Sequence, residues 1–160
     1  MYTILGELLS LAPFYFSVQL ILIVRATGLV GISLTFFASP ITKKFGVYRT
    51  FRTSLIISSV ALLLMGISSN PIPLTVFSIL FVAGIALLVP INIMLINQHA
   101  GDQKGTAVLF NAFILFIGAS IGPLLASYLM KIVNAQFALT IFSILVFFGY
   151  LLSLLVKNKK

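Results

Sequence analysis

Leu74–Ile96 reads LTVFSILFVAGIALLVPINIMLI, 23 residues without one Asp, Glu, Lys, Arg or His. A helix rises about 1.5 Å per residue and a hydrocarbon core is about 30 Å thick, so a run of this length crosses a bilayer once. A membrane barrel strand would alternate apolar with polar residues, and this stretch is continuously apolar. The stretch is therefore expected to be a transmembrane helix.

Working outward, comparable runs lie near Val18 to Ile41, Ser54 to Ser69, Ala107 to Met130 and Phe137 to Val156. The expected fold class is all-α: a polytopic transmembrane helix bundle of about five spans, forming a single transmembrane domain over residues 1–160. Tyr2 to Phe16 is also apolar but is interrupted by Glu7 and Pro13, and reads as a helix end followed by a loop. Composition agrees. Of 160 residues, 61% are hydrophobic and only 8% charged, with a mean hydropathy of +1.22. Soluble domains carry about 25% charged residues, so water could not solvate this surface.

The net charge of +8 does not imply nucleic acid, because the basic residues form no stripe with interleaved aromatics. They sit at the ends of the apolar runs, where topology and anionic lipid explain them. Lys43, Lys44, Arg49 and Arg52 lie in the connection Thr42 to Thr53, Lys104 in the connection Asn97 to Thr106, and Lys157, Lys159 and Lys160 in the tail. All three segments fall on one side of a five-span chain, which the positive-inside rule makes the cytoplasm. Pro71, Lys131 and Glu7 fall on the other. The expected localisation is the cell membrane, multi-pass, with the C-terminus cytoplasmic. A basic n-region is missing before the first apolar run, so the spans themselves are expected to direct insertion. The absence of cysteine excludes disulfides and thiolate metal chemistry. His99 has no nearby ligand set and reads as a solvated turn residue, so no metal site and no cofactor are expected.

Two constellations carry the functional reading. Gly118, Gly122 and Ala126 recur every four residues and form one small-residue face, along which a neighbouring backbone can approach; Pro123 between them removes a backbone donor and bends the helix. Generic helix packing fits that face equally well. The second constellation is Ser39, Lys43, Lys44, Gly46 and Arg49 at the first cytoplasmic turn, a place where any membrane protein collects basic residues and a glycine.

In this order, separated by two helices, the two constellations make the chain resemble the major facilitator superfamily of secondary transporters. The resemblance covers nearly the whole chain and is to most of the C-terminal half of such a protein, with the first helix of that half largely missing. In the family's turn motif a carboxylate stands where this chain has Lys43, which removes the expectation of an acid-based gate in this turn. Gly118, Gly122 and Pro123 match the core of a glycine-proline motif carried by some exporters of the family, and Ala126 and Ser127 replace its final glycines. What the resemblance implies is a small solute moved by alternating access, with efflux as the implied direction. It also implies that the chain is a fragment, a split subunit or a decayed copy, because the family is built from two six-helix halves that hold substrate between them. The expected partners are the lipid bilayer, the missing transporter half or another membrane subunit, and a small-molecule substrate.

Arg25 is the one formal charge inside an expected span, so it is a candidate pathway residue; lying about 10 Å from the span's start, it could equally snorkel to the interface. Asn92 follows Pro90, where a bend frees carbonyls, and could face a water-filled cavity or bond a neighbouring helix. Gln19, Asn97 and Asn111 lie near the interfaces and need no function. Three classes of function compete: a part of a secondary transporter, a non-transporting membrane assembly or interaction fragment, and an intramembrane enzyme. The last is weakest, since there are no catalytic candidates: no zincin pattern, no paired intramembrane carboxylates and no G-x-S-x-G elbow occur.

Overall fold

The computed structural model describes residues 1–11 and 14–155. Pro13, Val156, Lys157, Lys159 and Lys160, which entered the sequence reading, lie outside the described residues. The element order is α1 (Tyr2–Ser10), α2 (Val18–Ile32), a 3-10 turn (Ser33–Phe37), α3 (Ala38–Phe45), α4 (Val47–Ile67), α5 (Pro71–His99), a 3-10 turn (Gly101–Gln103), α6 (Lys104–Ile132) and α7 (Ala135–Leu155). Helix accounts for 92% of the structure, with no strand among the described residues.

Local chemistry sets the boundaries. Ser17 is extended and its hydroxyl accepts from the Leu20 amide at 3.4 Å, capping the start of α2. Asn134 Oδ1 accepts from the Phe137 amide at 2.9 Å and does the same for α7. Pro71 opens α5, where its missing N–H would have been unpaired anyway. Gly46 has φ of 87°, a left-handed conformation that a residue with a Cβ rarely adopts. That single residue turns α3 into α4.

The basic connection expected over Thr42 to Thr53 is therefore not a loop. Arg49 and Arg52 belong to the first turns of α4, which starts at Val47 and not near Ser54. The hydropathy pattern marks where apolar side chains begin, whereas a helix continues into the interface as long as its polar side chains are solvated. Likewise α5 runs on to His99 and α6 starts at Lys104, so only a short turn joins them.

Among the described residues, five helical stretches are long and apolar enough to cross a membrane: Val18–Phe45, Val47–Ile67, Pro71–His99, Gly101–Ile132 and Ala135–Leu155. The first is continuous from α2 to α3 through the 3-10 turn at Ser33–Phe37. Against this frame, α1 is only 9 residues long, yet Ile4, Leu5 and Leu9 are fully buried. They join Ile21, Leu62, Met65, Leu74, Ala126 and Leu139 in one core cluster, so α1 plugs one end of the bundle against α2, α6 and α7. A smaller cluster of Ala38, Leu87 and Ile91 closes the other end.

Between these clusters the contacts of α4 with α5 and α7 are made by small residues. Ser59 Oγ donates to the Ser143 carbonyl at 3.0 Å, and Ser143 Oγ returns a bond to the Ser59 carbonyl at 2.8 Å. Both serines are buried. Lipid is as apolar as leucine, so close backbone approach and interhelical hydrogen bonds replace the hydrophobic effect as the cement. Gly84 of α5 lies against Ser54 and Ser58 of α4, and Gly66 of α4 against Gln136 and Thr140 of α7. At Gly31 of α2 an added Cβ would stand 2.7 Å from the Ile79 carbonyl oxygen of α5.

Candidate functional site

Arg25 stands midway along α2 and turns toward α1. Its Nη2 donates to the Tyr2 carbonyl at 2.9 Å, and the Tyr2 hydroxyl returns a bond to the Arg25 carbonyl at 3.3 Å. Gly6 of α1 makes room, since a Cβ there would collide with the guanidinium. Arg25 Nε is buried without a hydrogen-bond partner. The side chain is half-buried against α1, an arrangement distinct from both the pathway and the snorkelling expectations.

Asn92 also meets a partner. Its Nδ2 donates to Asn111 Oδ1 at 2.8 Å, tying α5 to α6. Asn111, expected to lie near the interface without a function, is a residue that sequence reasoning misses; two asparagines in successive spans are the available signal.

Two residues before Asn92, Pro90 lacks the N–H that would have bonded the Ala86 carbonyl. The Thr35 hydroxyl, from the 3-10 turn that interrupts the α2–α3 span, donates to that carbonyl at 3.3 Å. Two breaks in separate spans are thus stitched together. The wall beside them is a mostly apolar cavity of about 480 Å³, lined among others by Tyr2, Thr35, Phe81, Val82 and Pro90.

The turn residues Ser39, Lys43, Lys44 and Arg49 are exposed around Gly46. Lys44 Nζ lies 5.4 Å from the Phe45 ring centroid. His99, expected to be a solvated turn residue, is held by two contacts at the end of α5: Nδ1 is 2.9 Å from the Leu95 carbonyl and Nε2 is 3.0 Å from the Tyr48 hydroxyl of α4. Farther along α4, Arg52 Nη2 donates to the Ser153 carbonyl at 3.0 Å, placing a cation on the last turn of α7.

The expected packing face divides. Ala126 is buried in the α1 core, whereas Gly118 and Gly122 have nothing within 4 Å of where a Cβ would be. Pro123 lies inside α6 directly after Gly122. Of the residues of α6, Ala126 alone is buried among those described. Within this chain the glycines at close helix contacts are Gly6, Gly28, Gly31, Gly66 and Gly84.

The fold and these sites define a class: a multi-pass helical membrane protein whose polar side chains gather at helix breaks and at one basic end. The comparison with family models narrows it. The model described as Major Facilitator Superfamily matches residues 3–160, and the chain belongs to that family, one of membrane transporters and not of enzymes. No curated protein and no solved structure matches it.

Proposed function

We propose that the chain is one part of a secondary active transporter that moves a small solute by alternating access, in the efflux direction. The observation that carries this reading is the unequal burial of the helices in a chain of that family. α4 is packed by α5 and α7, while α2 and α6 turn long apolar faces outward. In α6 these include Leu109, Phe110, Phe113, Phe116 and Leu124, each more than half exposed. A transporter of this family holds its solute between two six-helix halves that rock about a midplane site. Five spans supply one side of such a site, and a second half would lie against α2 and α6. Arg25, Asn92 and Asn111 are the polar candidates within the spans. The basic end bearing Lys44 and Lys104 is then cytoplasmic by the positive-inside rule, in the cell membrane.

A second reading has a specific support. Gly118 and Gly122 face open space on α6, the surface a non-transporting assembly fragment would use to pair with another membrane protein. Deletion and reconstitution separate the two. Removing the chain from its native cell should abolish a gradient-driven flux, assayed with lipophilic cations and sugars, that the purified chain alone does not restore in proteoliposomes. Unchanged fluxes after deletion favour the assembly fragment. Robust gradient-dependent flux from the chain alone would overturn the two-part reading.

A further inference from the structure

We propose that the basic end of the bundle holds a phosphate group in the cleft between the start of α4 and the end of α5. The cleft has a volume of about 530 Å³ and is lined by Phe45, Tyr48, Arg49, Gln98 and His99 together with the Gly46 turn. Arg49, a permanent cation, and Gln98 bring hydrogen-bond donors to it, the Tyr48 and His99 hydrogens are taken up within the wall, and no carboxylate lines it among the described residues.

The far wall is fixed. The Leu95 carbonyl can only accept, so His99 Nδ1 carries a hydrogen toward it, and Nε2 is left to accept from the Tyr48 hydroxyl. Two bonds and an edge-on ring contact at 6.1 Å, 81° between planes, hold the imidazole and phenol in place. Arg49 supplies the planar fork that matches phosphate oxygens two at a time. Lys44, whose Nζ lies 5.4 Å from the centroid of the Phe45 ring that forms one wall, adds a second cation near the cleft without lining it. Phe45 itself is 56% exposed and gives the rim an apolar edge.

The charge pattern selects the ligand. A phosphate that bears a net negative charge pairs with Arg49 and is attracted by the nearby Lys44, whereas a zwitterionic headgroup brings its own ammonium toward the same cations. Basic pockets between spanning helices, at headgroup depth, are suited to anionic phospholipid. The same chemistry would also take a free phosphate, and the experiment must tell these sources apart.

The full chain, purified into nanodiscs of phosphatidylcholine containing some phosphatidylglycerol, would be released and its retained lipids counted by native mass spectrometry. Phosphatidylglycerol should be retained in preference to phosphatidylcholine. Arg49→Gln should lower that retention about fivefold, the factor one basic side chain contributes near an anionic surface. Lys104→Gln, equally basic but outside the cleft, should leave it unchanged. Both positions are exposed, so neither change strains the fold. Retention that survives added inorganic phosphate identifies the lipid headgroup as the occupant; displacement identifies a seat open to free phosphate. No preference for phosphatidylglycerol, or equal losses from Arg49→Gln and Lys104→Gln, would overturn the proposal.

Discussion

Glycines of similar appearance in the sequence have opposite surroundings in the molecule. At Gly31 an added Cβ meets the Ile79 carbonyl at 2.7 Å and the Ala83 nitrogen at 2.9 Å, backbone atoms that cannot rotate away. At Gly118 it meets nothing. Gly31→Leu should therefore force α2 off α5 at a cost of about 1–3 kcal/mol, the usual range for overpacking. Gly118→Leu should leave the stability of the purified chain unchanged. Thermal unfolding in detergent checks both, and a milder effect at Gly31 would refute the close crossing. Thr35 makes a subtler case. Thr35→Val should cost about 1 kcal/mol by removing the donor to the Ala86 carbonyl, whereas Thr27→Val, which removes only a bond back to Val24 of its own helix, should cost less. In a Pro90→Ala background the restored amide satisfies Ala86, and the Thr35 penalty should vanish. A penalty that persists there would show that Thr35 acts by something other than this bond.

At the scale of elements, α6 is the loosely held helix. Its ties to the rest include Ala126, Leu129 and Met130 near its end, in or against the core around α1, and Asn111, bonded to Asn92. Asn92→Ala should free the part of α6 before Pro123 at a cost of about 1 kcal/mol, within the range measured for interhelical hydrogen bonds in membranes. A single cysteine at Ala112 should then react faster with a membrane-permeant thiol reagent, and one at Ala138 in α7 should not. Equal changes at both positions would mean a general loss of packing. The sequence made this element easy to find and hard to place. Twenty or so apolar residues announce a span, but an all-apolar surface does not say which face meets protein and which meets lipid. The serine contacts of α4 show the same difficulty. Ser54 and Ser58 are spaced four apart, a recognisable small-residue pattern, and they do carry the contact with Gly84. Gly118 and Gly122 have the same spacing and carry none within the chain.

For the whole molecule, antiparallel helices put Lys44, Arg49, His99 and Lys104 at one end and Pro71 and Lys131 at the other. The Tyr48–His99 contact and the Gln136 Nε2 bond to the Ser68 carbonyl at 3.2 Å mark the two ends. Single cysteines at Lys44 and Lys104 should resist an impermeant thiol reagent in intact cells while those at Pro71 and Lys131 react. The chain has no native cysteine to obscure the result. Labelling at 44 and 104 with protection at 71 would invert the topology. The sequence by itself determined that this protein lives in a bilayer, that it is helical and that its basic residues gather at one end. Those properties follow from the cost of taking charge and unpaired backbone out of water, which every residue incurs wherever it sits. Only the tertiary structure decided which polar groups meet. Arg25 bonds α1, Asn92 finds Asn111, and Thr35 reaches the carbonyl freed by Pro90, because helix rotation and crossing set these pairings and a continuously apolar sequence leaves both undetermined.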